Sequence, residues 1–268
     1  MQVDKHATRN IGELVDALHL EDLRNGMHPS IFDENEEYDM LIIRLPFIYE
    51  ELEVKSIGFI ITHDKSYLYD RDKKDFKELS SRFESPYKML DKTVDELLRS
   101  FERYRDLIID MEEMLYIDKE PSSFMKQWLR LKRNIVRIER VLTHASSTMN
   151  QAIGYYEKED AFPLNHYIDL HEHIERTLRS ATLQLSKLDY LYNFYSARTN
   201  ERMNRLIYFL TIISAIFLPL NLVVGFFGMN TSDMPFTGGV GGTMNVIILI
   251  AFLSIITVVI INFVKRKV

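Results

Sequence analysis

Cysteine is absent from the 268 residues. That excludes a disulfide scaffold and any thiolate metal site, and it is compatible with a reducing cytoplasm. A basic surplus is missing too: 33 Lys and Arg stand against 39 Asp and Glu, a net charge of -6. A nucleic-acid partner is therefore not expected, because phosphate binding needs a basic face that releases counterions. No glycine-rich phosphate loop, Ser/His/Asp set or two-histidine zinc helix is present, so no enzymatic activity is expected. Charge itself disappears twice. Neither Leu206 to Phe227 nor Thr243 to Val264 contains Asp, Glu, Lys or Arg, and each run is about long enough to cross the hydrocarbon core as a helix. The polar, charged Met1 to Asn10 does not read as a signal peptide.

Lysine and arginine are also absent from the connector between these runs, Gly228 to Gly242, which carries one acid, Asp233. Arg202 and Arg205 precede the first run, and Lys265, Arg266 and Lys267 follow the second. By the positive-inside rule both termini face the cytoplasm of a multi-pass protein of the inner (plasma) membrane, and the connector lies outside.

The soluble portion reads as strands followed by long helices. Met40 to Pro46, Ser56 to Thr62 and Ser66 to Tyr69 are short, rich in Ile, Leu, Phe and Tyr, and divided by charged turns, as strands of a small α/β piece would be. Beyond Ser85-Pro86 the period changes. Val94, Leu97, Phe101, Tyr104, Ile108, Met111 and Leu115 form one apolar helical stripe, and Trp128, Leu131, Ile135, Ile138, Leu142, Ala145 and Met149 form a second. Pro121 punctuates the two. A third helix follows Pro163, with Ile174, Leu178, Ala181, Leu185, Leu188, Tyr192 and Tyr195 at heptad spacing. No Pro or Gly interrupts the chain between Pro163 and Pro219, so one helix is expected to run from the cytoplasm into the bilayer. A soluble bundle joined to a separate membrane hairpin is the alternative. The fold class is thus an α+β cytoplasmic domain with long helices and two C-terminal transmembrane helices. Its expected parts are residues 1–85 (a curtailed N-terminal α/β region), 86–162 (an antiparallel helix pair) and 163–227 (stalk and first span). The loop at 228–242, the second span at 243–264 and the basic tail at 265–268 complete it.

Within the first span Asn204, Thr211, Ser214, Asn221 and Gly225 fall on one helical face, with Leu218 among them. Such a stripe either joins helices or lines a water-filled path. Two helices per chain cannot enclose a path, so a conduit requires a symmetric ring of copies.

The sequence from Leu210 to Leu220, followed by Gly225-Phe226-Phe227-Gly228-Met229-Asn230 and Met234-Pro235, resembles the pore helix and loop of the CorA family of divalent-cation channels. Leu20 to Asn25 resembles the family's Leu-Glu-Asp segment, and Asp169 to His173 its Asp-x-x-Asp-His run. The resemblance implies a homopentamer in membrane lipid, with stalk helices continuing as the inner ring of the pore. It implies a selectivity filter at Gly228, Met229 and Asn230, with Asn230 as a ring at the outer mouth. Asn204, Ile207, Leu210, Thr211, Ser214, Leu218, Asn221 and Gly225 would line the pore. It further implies a regulatory metal site at Asp22 and Asp169, to which Glu172 and His173 add ligands, where cytoplasmic Mg²⁺ bridges neighbouring subunits and closes the gate. The transported divalent cation would be Mg²⁺.

The chain departs from the family pattern in places. Phe236 follows Met234-Pro235 where the family carries Glu, and Asp233 is the substitute acid at the outer mouth. Gly238 to Gly242 resembles the loop of the zinc-transporting branch, which keeps Zn²⁺, Co²⁺ or Ni²⁺ open as cargo. A membrane-tethered coiled-coil scaffold without conduction is the reading from another class.

Overall fold

A computed structural model describes residues 11–48, 51–117, 123–229 and 241–265. The chain divides into two compact units, Met1–Asn193 and Phe194–Val268, and each is described by itself.

The first unit opens with two short helices, α1 (Ile11–Leu14) and α2 (Ala17–Arg24). Asp16 caps α2, its carboxylate accepting the backbone N–H of Leu18 at 2.8 Å. Five strands follow: β1 (Ile31–Glu34), β2 (Tyr38–Ile48), β3 (Leu52–Thr62), β4 (Ser66–Asp70) and β5 (Asp75–Glu78). They form one antiparallel sheet in sequence order. Its spine is the β2–β3 hairpin, paired from Tyr38↔Thr62 to Ile48↔Leu52. Strand β2 is buried almost throughout, and pleat alternation explains why. Tyr38, Met40 and Ile42 pack with Val15, between α1 and α2, and with Leu23 of α2, while the alternate residues face helices packed on the opposite side. Gly58 on β3 permits this packing, because a Cβ there would lie 2.4 Å from Leu23 Cδ2.

The three expected strands are present, with β1 and β5 as additional short edges. The helices α3 (Glu84–Tyr116) and α4 (Phe124–Tyr156) match the two expected stripes, whose fourteen residues are all buried. Pro86 sits in the first turn of α3, where no intrahelical N–H partner is lost; Pro121 lies outside the described residues. Tyr156 of α4 reaches back to the sheet and donates its hydroxyl proton to the buried Asp39 carboxylate of β2. Burial pushes the Asp39 carboxyl above its ordinary value, and this hydrogen bond opposes the shift.

Helix α5 (Leu164–Phe227) is continuous, as expected, and starts directly after Pro163. Its stripe in the first unit differs from the expected heptad. Leu170, Ile174, Thr177, Ala181, Gln184, Leu188 and Leu191 are buried, whereas Leu178 and Leu185 are half-buried and Tyr192 is exposed. Polar Thr177 is accommodated because its hydroxyl donates to the His173 carbonyl at 2.9 Å. Trp128 anchors the contact with α5 by donating Nε1–H to the Leu188 carbonyl at 2.7 Å and stacking near the Tyr192 ring. The apolar surface of α5 is wider than its contact within the chain, which leaves Leu178 and Leu185 on its flank.

The second unit contains the remainder of α5 and α6 (Gly242–Lys265). Among the described residues, the helix Leu164–Phe227 is long and apolar enough to cross a membrane, and α6 contributes a shorter apolar stretch, Met244–Thr257.

Candidate ion path and regulatory acids

In the second unit the two helices carry matching shielded faces. On α5 these are Ile212, Ala215, Ile216, Pro219, Leu220, Val223 and Phe227, and on α6 Gly242, Val246, Leu249, Ile250, Leu253 and Thr257. Steps of three and four keep each set on one side of its helix. The expected pore-lining residues Asn204, Ile207, Leu210, Thr211, Ser214, Leu218, Asn221 and Gly225 are all exposed, and at 100° per residue they lie roughly opposite the shielded face of α5. The polar stripe is thus the side that the chain's own packing leaves uncovered. Thr211 donates its hydroxyl proton to the Ile207 carbonyl at 2.8 Å, so what it presents outward is an acceptor oxygen. Pro219 lies inside α5 and lacks the N–H that would close one helical hydrogen bond. The carbonyl it frees belongs to Ala215, on the shielded side, and not to the stripe.

Gly228 ends the helix. Its N–H donates to the Val224 carbonyl at 2.8 Å, and a Cβ added there would sit 2.8 Å from that same oxygen. A residue without a side chain lets the backbone leave the helix at this point. Met229 follows, half exposed. Asn230, Asp233, Met234, Pro235, Phe236, the loop glycines Gly238 and Gly239, and the tail residues Arg266 and Lys267 lie outside the described residues.

The expected regulatory residues occupy two places in the first unit. Asp22 on α2 faces the His28 ring, with Oδ1 and Nε2 3.3 Å apart. On α5, Asp169 Oδ1 lies 3.7 Å from His173 Nε2, one helical turn on. Asp169, Glu172 and His173 share a hollow of about 520 Å³ with Glu175, Arg176 and Arg179. The expected common face of Asp169, Glu172 and His173 is therefore present, and His171 points elsewhere, toward Ser146 on α4 at 3.0 Å. Within one chain these residues do not gather into a cluster with metal-binding geometry among the described residues. His173 does keep a buried Nδ1 without a hydrogen-bond partner.

Two further acids belong to this surface and escaped the sequence reading. Burial raises the Asp91 carboxyl above its ordinary value, with Asp95 and Asp169 adding repulsion and the His173 and His166 rings opposing it. Their signal was the four-residue spacing of Asp91 and Asp95, which puts both on one face of α3.

Comparison with known proteins bears on the whole chain. The model of the CorA-like Mg²⁺ transporter protein family matches residues 2–266. The chain is similar to the cobalt/magnesium transport protein CorA of Thermotoga maritima, 22% identical over 97% of this chain and 78% of that protein. It also resembles the divalent cation transporter CmaX of Pseudomonas aeruginosa, 28% identical over 48% of this chain but only 40% of that protein. In fold it matches the complete structure of the CorA magnesium transporter from Methanocaldococcus jannaschii. The TM-score is 0.73 at 16% identity, over 93% of this chain and 84% of that one. The shared fold is a mixed α+β N-terminal domain with long helices and a long C-terminal helix. The chain belongs to the CorA-like family of divalent-cation transporters, membrane proteins that are not enzymes.

Proposed function

We propose that this protein is a homopentameric Mg²⁺ uptake channel of the inner membrane, with both termini cytoplasmic and its gate held shut by cytoplasmic Mg²⁺. The observation that carries the reading is the polar stripe from Asn204 to Gly225, exposed on α5 opposite the face shielded in the second unit. A lipid-facing surface would not concentrate amides and hydroxyls in this way. Five copies turning that face inward would surround water. Asn221, Thr211 and Asn204 then offer oxygens to the ion's hydration shell, and Leu218 with Leu210 or Ile207 forms a constriction that can dewet. Mg²⁺ gives up its water reluctantly, so an Asn230 amide ring selects the hydrated ion without stripping it.

Regulation follows from the acids. Asp22 of one subunit and Asp169 of the next repel unless a cation lies between them, and Glu172 and His173 are placed to add ligands. Bound Mg²⁺ supplies the charge that holds neighbouring subunits together, and its loss releases them.

Flux into liposomes containing an ion-sensitive dye tests the proposal. Mg²⁺ uptake is expected, abolished in Asn230→Ala with the oligomer intact; unchanged flux in that variant removes Asn230 from the filter. Zn²⁺, Co²⁺ or Ni²⁺ uptake without Mg²⁺ would favour the second reading, for which the Phe236 and Gly238 to Gly242 departures speak. Silence toward every divalent ion would leave a scaffold. Inhibition by internal Mg²⁺ should weaken in Asp22→Ala/Asp169→Ala, and a wild-type response there refutes the sensor.

A further inference from the structure

Lys126, Arg130, Lys132, Arg133, Arg137 and Arg140 make a basic run on α4. Arg130, Arg133 and Arg137 fall on one face and, with Arg103 from α3, line a hollow of about 550 Å³ between the two helices and the β2–β3 hairpin. Its floor is firm. Tyr104 and Leu131 are 5% and 3% exposed, and Asn134 Nδ2 donates to the Tyr104 hydroxyl at 2.8 Å, tying α4 to α3. The one carboxylate among the described lining residues is Glu51, exposed at the hairpin end.

Charge balance makes this hollow unusual within the unit. Lys132, on the neighbouring face of α4, pairs with Asp189, and Lys187 pairs with Glu112 at 2.6 Å. Among the described residues no carboxylate comes within ion-pair distance of Arg130, Arg133 or Arg137. The positive field extends further, since burial and the nearby Arg137 hold the Arg44 guanidinium below its ordinary value. Three guanidinium groups gathered like those of Arg130, Arg133 and Arg137 repel one another, and their planar forks match phosphate oxygens two at a time. The volume lies within the range of small-molecule sites, and the apolar and aromatic floor is typical of them.

We propose that this hollow is a binding site for a small soluble anion carrying two or more phosphate groups, gripped by Arg103, Arg130, Arg133 and Arg137 over the Tyr104 floor. A single phosphate would satisfy two forks at most, whereas a di- or triphosphate spans the face that the three α4 arginines present. The site is separate from the proposed ion path and from the Asp169 surface, and it stands whichever cation is carried.

Calorimetric titration of the full-length protein in detergent tests it, in buffer free of divalent metal so that the anion is not carried as a chelate. Tripolyphosphate and a nucleoside triphosphate are the probes, with sulfate at equal ionic strength as control. One saturable site per chain is expected for at least one probe. Affinity should fall at least tenfold in Arg133→Gln/Arg137→Gln and stay unchanged in Lys126→Gln/Arg140→Gln, which alters the same helix outside the hollow. Absence of saturable binding overturns the proposal, as does an equal loss in both pairs, which would mean general attraction to a basic helix. Binding of short-chain phosphatidic acid without binding of either soluble probe also overturns it, in favour of a lipid headgroup. If the Gln pair melts below the wild type, Arg133→Lys/Arg137→Lys decides. That pair keeps the charge and loses the forks, so a tenfold deficit supports the site and wild-type affinity refutes it.

Discussion

The two parts of α5 obey opposite rules with the same backbone. Before Asn193 one stripe of its apolar side chains is buried, with Ile174, Ala181 and Leu188 wholly inaccessible. After Arg205 they are displayed: Leu206 is 64% exposed, Leu218 68% and Leu222 74%. No proline or glycine marks the change between them. A helix does not choose its solvent by its own geometry; the composition of its outer surface does. Polar exteriors suit water in the first case, and in the second an apolar exterior suits hydrocarbon, where burial inside the chain gains nothing over lipid contact.

Paired substitutions break or sharpen that contrast. The largest effect is expected from Leu188→Ala, which opens a cavity under Trp128 and should cost about 2–5 kcal/mol. Denaturant or thermal unfolding of the cytoplasmic unit measures it, and the same change at Leu222 should leave that transition unmoved. Next comes charge. Leu222→Lys should cost about 2.5–3.5 kcal/mol if the residue lies near the bilayer centre, read as reduced membrane insertion. Leu183→Lys, equally exposed but in the first unit at 65%, should insert and fold as the wild type does. Equal insertion of both variants would erase the difference between the two parts.

A smaller loss, about 1–3 kcal/mol, is expected from Tyr156→Phe, because the Asp39 carboxylate keeps its burial and loses its donor. Urea unfolding midpoints report it. The smallest effect is a pH dependence. The folded-state value of Asp39 lies above its unfolded value, so its ionised form opposes folding at neutral pH. That opposition fades as pH falls through the folded-state value and is gone below the unfolded one. Across that window the wild type should gain stability relative to Asp39→Asn, and parallel melting curves for the two would remove the burial effect.

How much was legible beforehand depended on what each residue's neighbours were. The stripes of α3 and α4 were legible in the sequence because every apolar residue counted at that spacing is buried, and α4 buries further residues, Val141, Ala152 and Tyr156 among them, because it meets the sheet as well as its neighbouring helices. The α5 stripe was readable only in part. Thr177 and Gln184 take inward positions that apolar counting assigns to Leu178 and Leu185, since helix α5 has more apolar surface than one chain can cover. Strands β1 and β5 are four residues long with mixed polarity, too short to show a period; only pairing with β2 and β4 defines them. For the candidate path, the face carrying Asn204, Thr211 and Asn221 was legible from spacing alone. What spacing did not reveal was that α5 shields the opposite side, or that Arg103 on α3 joins the three arginines of α4. Both depend on how separate helices meet.

Gly58 carries a consequence out of proportion to its size. The absent methyl is a notch into which Leu23 seats, and Leu23 holds the short helix that bears Asp22, the residue just before it. An alanine there would push on that leucine and tilt the helix, displacing a carboxylate that the substitution never touches. The set point of the proposed Mg²⁺ response would then be adjustable from within the sheet, by a residue that itself can bind nothing.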